Sequence, residues 1–506
     1  MSKILRGGRL GSKKENVAEF TSSIKDDARL ANAVIDINKA HVIMLAEKEI
    51  IKLPDASQLL NALMTKLSLR MDASNEDVHM AIEEAVLQKV SSEVSGNLHV
   101  GKSRNDQVAT AIRMELRHEL LNLMLLLVQM QESLANTAEK NVETIILEYT
   151  HLQPAQPVTF AHYLLARFDQ LNRNLQRTQN AYARVNLCPL GAGALATTSF
   201  PIDRERTAQL LGFDSLIENS IDAVGSRDFI LEPLAILTLI AIDLSQLAED
   251  LLLWSSLDFA VLELPDEFSS TSSMMPQKKN AEVLEVIRAR ASHALGDLVA
   301  AMTIMKAIPS TYNLDFQEIT PKLWDSLKSV SNSLKMFSEL IPNLKLHSNV
   351  FEKSAESFVA ATEVANMLVR KYNVSFRTAH KIVGALVRIL VDSKQTFKDA
   401  TPELLQKVAK ETVGSTLTVR IEDIESCIDP RRIVENYMVI GGPAPVTVKK
   451  ALVVRKKTLT EAKSNINKLN QLLQNAKQNL ESTSRNISEG EIAGNARFKN
   501  SKGLVE

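Results

Sequence analysis

Residues 120–130 read LLNLMLLLVQM, with only Asn122 and Gln129 polar. On a helix, where successive side chains turn by about 100°, this run is apolar on more than one face. A helix apolar all round is buried on several sides. The run lies inside a longer periodic segment that opens near Asp106 and continues to about Asn141, and residues 229–254 and 281–308 have the same character. Three such helices predict an all-α fold built on a central bundle of long helices. Their apolar faces, notably on 120–130 and 234–253, exceed what one subunit covers, which predicts a homo-oligomer.

Composition points the same way. The 506 residues include only 17 Gly and 15 Pro, too few for the turns of a sandwich or barrel. A chain of this length divides into two or three domains. Charged residues are 24 % and balanced to a net charge of −1, which argues against a nucleic-acid partner. The two cysteines, Cys188 and Cys427, form no disulfide framework and no CxxC pair, as in a reducing compartment. The N-terminal stretch has no apolar core of signal-peptide length. The longest apolar stretches, 234–242 and 123–128, fall short of the ~20 residues that span a bilayer. These features predict a cytoplasmic protein with no membrane partner.

Helical spacing recurs at 28–52, 56–70 and 78–94. Five polar stretches interrupt the helices: SGNLHVGKSRND (95–106), EYTHLQPAQP (148–157), PLGAGALATTSFP (189–201), AVGSRDF (223–229) and SSTSSMMPQKKN (269–280). They are longer than ordinary bundle connections, and loops held by rigid helices tend to carry function. Past 348 a smaller helical region is broken at NVSF (373–376) and GGPAP (441–445). A Lys/Gln/Asn-rich helix then runs to about 480, and 481–506 reads as a flexible polar tail.

No HExxH, Walker-type loop or Cys–His cluster occurs, so neither a metal nor a nucleotide cofactor is expected. GAGALA lacks the last glycine and the preceding strand of a dinucleotide fingerprint. The chemistry then falls to side chains. Ser103, Arg104 and Asn105, Thr150, His151 and Gln153, and the hydroxyls, a lysine and an amide of 269–280 suit a small molecule with several carboxylates. A cation beside such a carboxylate also stabilises the carbanion left when the neighbouring C–H loses its proton. That points to proton abstraction followed by loss of a leaving group. The same residue types also fit an exposed linker and a structural histidine.

SSMMPQKKN (272–280) resembles the signature of the fumarase/aspartase superfamily. SRNDQVAT (103–110), THLQPAQP (150–157), GAGALATTSFPIDR (191–204), NSIDAV (219–224), SRDF (226–229), FTSSIKDD (20–27), DVHMAIEE (77–84) and YNLDFQE (312–318) resemble its argininosuccinate lyase branch, in order along nearly the whole chain. The resemblance implies a three-domain all-α fold: an N-terminal domain (1–102), a central long-helix bundle (103–349) and a small C-terminal domain (350–455), here followed by a helical extension and tail (456–506). It implies a homotetramer with active sites shared between subunits. The implied reaction is the reversible β-elimination of argininosuccinate to arginine and fumarate, the last step of arginine biosynthesis.

By the same resemblance Ser272 is the base, Lys278 stabilises the carbanion, and His151 with Glu285 stands at the proton-donor position. Ser23, Asp27, Ser103, Arg104, Asn105, Thr150, Arg227, Asn280, Tyr312, Gln317 and Thr320 match substrate-contact positions, with Asp27 facing the cationic arginine half and Arg104 and Asn105 the succinyl half. His79 and His99 match histidines near the site, and Lys279 is expected in solvent. Several positions depart from the pattern. Thr271 replaces a glycine, Val100 and Lys102 replace Thr and Arg, Ala281 replaces a proline, and Thr320 stands where a lysine is usual, with Lys322 close by. Two other readings remain beside this one: another fumarate-releasing lyase of the superfamily, and an inactive structural oligomer.

Overall fold

The structure, a computed structural model, describes residues 13–72, 75–347, 350–414 and 416–491. Its principal elements, in chain order, are α1 (Ala31–Glu47), α2 (Leu53–Met64), α3 (Val78–Leu87), α4 (Arg104–Lys140), a hairpin of β1 (Ile145–Thr150) and β2 (Gln153–Thr159), α5 (Phe160–Val185), α6 (Asp228–Ser255), α7 (Glu282–Met305) and α8 (Thr320–Leu340). The smaller C-terminal unit contains α9 (Ala361–Tyr372), α10 (Phe376–Asp392), α11 (Pro402–Val413), α12 (Ile421–Ile428) and α13 (Pro430–Asn436), and α14 (Pro445–Ser488) closes the chain.

Helices α4 to α8 pack side by side as the long-helix bundle. The all-α expectation therefore holds, with four two-stranded ladders among the described residues. One apolar core joins the bundle, the N-terminal helices and α14, while 360–433 encloses a second core of its own. Helix α6 is long and apolar enough by composition to cross a membrane, but just over half of its apolar window is buried inside the bundle.

Two sequence expectations change. The apolar side chains of residues 120–130 are covered within the chain, with Leu125 the one apolar exception. The apolar surface without cover lies instead on α7, where Val286, Leu295, Val299 and Met302 are exposed, and on α6 at Leu239 and Ile242. The second change concerns α14, which continues through residues 481–488 rather than ending near 480. Leu452, Leu459, Ile466, Leu473, Leu480 and Ile487 are all buried in the main core. They recur every seven residues, a spacing that keeps one seam facing its partner. One apolar residue per two turns is a thin pattern in a polar sequence, and that hid the helix end. Residues 492–506 of the expected tail lie outside the described residues.

Candidate active site

Three separate elements present the residues singled out above. The first is the N-terminus of α4. Ser103 caps the helix, and its partner in the capping box is Asp106, so two orphan helix-end groups are satisfied reciprocally. Asp106 is fully buried, and its other oxygen accepts the backbone N–H groups of Gly191 and Gly193, both at 2.9 Å. Burial pushes its carboxyl up to about 6 against these bonds. Gly193 has φ 63°, and a Cβ there would lie 2.5 Å from the Thr197 carbonyl oxygen. Only glycine fits there, and it lets the loop wrap on the start of α4. Asn105 completes the joint by donating to the Ala194 carbonyl at 3.0 Å.

Between these anchors Arg104 turns towards α3. Its Nη1 donates to Asp77 Oδ1 at 2.6 Å and its Nη2 to Glu83 Oε1 at 3.1 Å. Asp77 also caps α3 by accepting from Met80 N. A cavity of about 360 Å³ opens here, lined by Asp77, His99, Lys102, Ser103 and Arg104 among others. Asp27 faces the same region and accepts the Ser23 hydroxyl. Burial raises its carboxyl to about 7; the Ser23 bond and the Arg104 charge oppose that shift, and the Asp77 and Asp26 charges add to it.

Tyr312 shares a hydrogen bond with Gln317, and burial raises its phenol; the Arg227 charge acts against that shift and those of Asp77 and Asp27 with it. Arg227 is fully buried and stacks over the Phe316 ring at 4.0 Å. It donates to the Val224 and Ser226 carbonyls, while its Nε and Nη2 have no partner among the described residues. Burial pushes it down to about 9. Gly225 permits this joint, because a Cβ there would press to 3.0 Å on the Thr311 backbone. One subunit thus gathers Ser23, Asp27, Ser103, Arg104, Asn105, Arg227, Tyr312 and Gln317 around one region.

The second element is the loop of 269–280. A ladder pairs Ser270 with Asn280 and Thr271 with Lys279, closing it into a small hairpin. Thr271 is extended there, a backbone conformation any residue adopts, so its departure from glycine is accommodated. Ser272 Oγ accepts the N–H groups of Met274 at 3.2 Å and Met275 at 3.0 Å. Two such bonds favour the charged form of an oxygen acid. Lys278 is exposed at the loop's end, and Glu285 stands exposed in the first turn of α7. Lys279 is exposed as expected, but its ammonium is tied to Glu263 at 2.7 Å and Asp266 at 2.6 Å, bracing the loop base.

The third element is the β1–β2 hairpin, where the sequence reading had only a polar interruption at 148–157. Its two-residue turn is His151–Leu152, with φ 54° and 58°. Positive φ at both central positions is the primed turn that matches strand twist. Asn and Gly are its usual occupants, so this sequence gave no turn signal. Two non-glycine residues held there cost roughly 1–2 kcal/mol each. Thr150 and His151 stand exposed at its tip.

Among the described residues, no hydrogen bond or ion pair joins the Arg104 region, the Ser272 loop and the His151 turn. Thr320 is buried and donates to the Phe316 carbonyl at 3.4 Å, while Lys322 points to Asp297 at 3.8 Å. Asp77, Glu83 and Asp106 were not singled out from sequence. Their signal was two acids in DVHMAIEE and the fourth residue of SRND, read there as a match and a cap. No group of three or more His, Cys, Asp or Glu converges as metal ligands among the described residues.

Comparison with known proteins adds the lineage. Residues 8–296 match a lyase family model, and residues 358–435 match a model described as argininosuccinate lyase C-terminal. An argininosuccinate lyase of Methanocaldococcus jannaschii is 44 % identical over 93 % of this chain and 99 % of its own length. One from Methanosarcina mazei is 39 % identical over 95 % and 98 %. Among solved structures, an EDDS lyase in complex with formate superposes with TM-score 0.85 at 31 % identity, over 95 % of this chain and 97 % of that one. A class II fumarase from Schistosoma mansoni shares the fold at TM-score 0.67 and 16 % identity, over 80 % and 90 %.

Proposed function

The chain belongs to the argininosuccinate lyase family, and from that premise we propose that it cleaves argininosuccinate to L-arginine and fumarate, the closing step of arginine biosynthesis. The observation that carries the reading is the Arg104 region. A half-buried acid at Asp27 suits a guanidinium, and Arg104, Ser103 and Asn105 on a helix N-terminus suit the succinyl carboxylates.

In this reading Ser272, its oxygen charged under two amide N–H groups, removes the proton from the succinyl carbon beside a carboxylate. The electron pair spreads into that carboxylate, and Lys278 stabilises the charge that develops there. The C–N bond then breaks, fumarate forms, and the arginine nitrogen takes a proton from the His151 position, with Glu285 fixing the imidazole tautomer. Thr150, Asn280, Tyr312, Gln317, Arg227 and Thr320 bind or line the substrate. No cofactor enters.

Complete sites form between subunits of a homotetramer. Two observations support this: the three elements are not joined within one chain, and α7 carries its exposed apolar face on the helix that begins beside the Ser272 loop. The segments 1–102, 103–349, 350–455 and 456–506 serve as working domains, and the two free, buried cysteines suit the cytoplasm. The test is to incubate the pure protein with argininosuccinate, adenylosuccinate or malate and follow fumarate by ultraviolet absorbance. Fumarate change from argininosuccinate alone is expected. Turnover only of another substrate moves the chain to a different lyase, and turnover of none makes it a structural oligomer.

A further inference from the structure

We propose that Glu83, itself oriented by His99, is the positioning residue that fixes Arg104 for binding argininosuccinate. This rests on the substrate site proposed above. An arginine side chain is long and has many rotamers, so a binding geometry requires a second fixed point beyond its own backbone. Arg104 has two. Asp77 takes Nη1 at 2.6 Å from the end of α3, and Glu83 takes Nη2 at 3.1 Å from within that helix. Held at both Nη atoms, the guanidinium plane cannot rotate. Among the described residues no hydrogen bond uses its Nε, which leaves that donor for a carboxylate of the substrate.

Glu83 is suited to this and to little else. Its side chain is 6 % exposed, and His99 Nε2 lies 2.8 Å from Oε2, the oxygen that Arg104 does not use. The two atoms are in ion-pair contact without the alignment of a formed hydrogen bond. Oε1 is thus bonded to the substrate-facing arginine, and Oε2 faces a histidine on the segment that leads into Ser103. Burial works against the charge on Glu83, but the His99 contact and the Arg104, His99 and Lys102 charges outweigh it and hold the carboxyl below its usual range. Lys102 is itself anchored by the Asn38 amide oxygen at 2.5 Å. With Glu83 neutral, the bond to Nη2 loses its charge assistance and Arg104 is held firmly only at Asp77. A small displacement of a group that orients substrate weakens binding without altering the proton-transfer groups.

A double-mutant cycle tests this. Glu83→Gln keeps the volume and one acceptor but removes the charge. In the full-length assembled protein it is expected to raise KM for argininosuccinate about tenfold, with kcat within about threefold and the melting temperature unchanged. Combined with Arg104→Gln it should reduce kcat/KM no further than Arg104→Gln alone, because Glu83 acts only through Arg104. His99→Leu should show the same dependence at smaller size, and serves as the probe if Glu83→Gln does not fold. Effects that multiply fully in the double variant, or an unchanged KM in Glu83→Gln, overturn the proposal. A parental KM in Arg104→Gln overturns the substrate-site reading instead.

Discussion

Replacing Ser272 separates two roles that its geometry combines. Its hydroxyl oxygen holds a turn by accepting the Met274 and Met275 N–H groups, and in the proposed mechanism it is also the base. Two hydrogen bonds of about 0.5–1.5 kcal/mol each would order the turn by at most about 3 kcal/mol, less where water replaces them. Loss of a positioned base costs about 10²–10⁴ in rate, or roughly 2.7–5.5 kcal/mol of barrier. Ser272→Ala removes both contributions together. Ser272→Asn removes only the second, because a carboxamide oxygen can accept the same two N–H groups in an Asx turn but cannot serve as the base. Fumarate release at saturating argininosuccinate should therefore fall at least about a hundredfold in both variants. Calorimetry should find substrate binding kept in Ser272→Asn. Recovery of a tenth or more of parental turnover in Ser272→Asn would show that the hydroxyl merely orders the loop, and the base assignment would fall.

Mixing inactive Ser272→Ala with inactive His151→Asn subunits, after dissociation and reassembly, should restore part of the activity, since some corners then receive both parental groups; no recovery across mixing ratios would mean that each site is built from one chain. Asp27, raised to about 7 chiefly by burial, should make kcat/KM fall as pH drops below about 7, where the acid becomes neutral and no longer attracts a guanidinium. The sign for stability is opposite: a raised folded pKa favours the fold below the unfolded value near 3.8, and that contribution is lost as pH rises through about 7. Asp27→Asn should therefore lose the acidic limb of the profile yet melt higher than the parent at pH 8, and a variant that melts lower refutes the buried-charge account. Ending the chain at 470 removes Leu473, Leu480 and Ile487 from the core, at about 1.5–3 kcal/mol each. A lowered melting temperature with raised KM is expected because α14 braces α1, which directly follows the Asp27 segment, and parental values for both would leave the extension without that role.

What could be read from sequence followed the strength of each local pattern. The long helices were legible because 229–254 and 281–308 carry dense apolar periodicity, and the structure closes them within one to three residues of those limits. The capping box at Ser103 was half legible, since Asp106 marked the helix start without revealing which residue capped it. The hairpin at 145–159 was not, because prolines at 154 and 157 and a His-Leu turn carry no strand or turn preference. Its pairing is fixed by tertiary burial of Ile145, Ile146 and Leu147. Glu83 was invisible for a different reason. An acid inside a helix reads as solvated, and only the approach of α4 from twenty residues on makes it a buried partner of Arg104.

The three site elements share one construction. Each mounts its residues on a rigid part and leaves the tip at least half open to solvent: a capped helix start for Ser103 to Asn105, a ladder-closed loop for Ser272 and Lys278, and a two-residue hairpin turn for His151. Rigid mounting keeps a reacting group within the small displacement that orientation tolerates. It also leaves the three parts unjoined by any hydrogen bond or ion pair among the described residues. Separation and rigidity together favour completion by a neighbour over closure of a single subunit. The uncovered apolar side chains of α7 lie on the same helix as Glu285, starting next to it at Val286 and running on to Met302. Covering that face against another copy would thus place a second chain beside the Ser272 loop. In this account association and completion of the site are one event, so a substitution such as Val299→Glu, remote from every substrate group, should abolish turnover and assembly together.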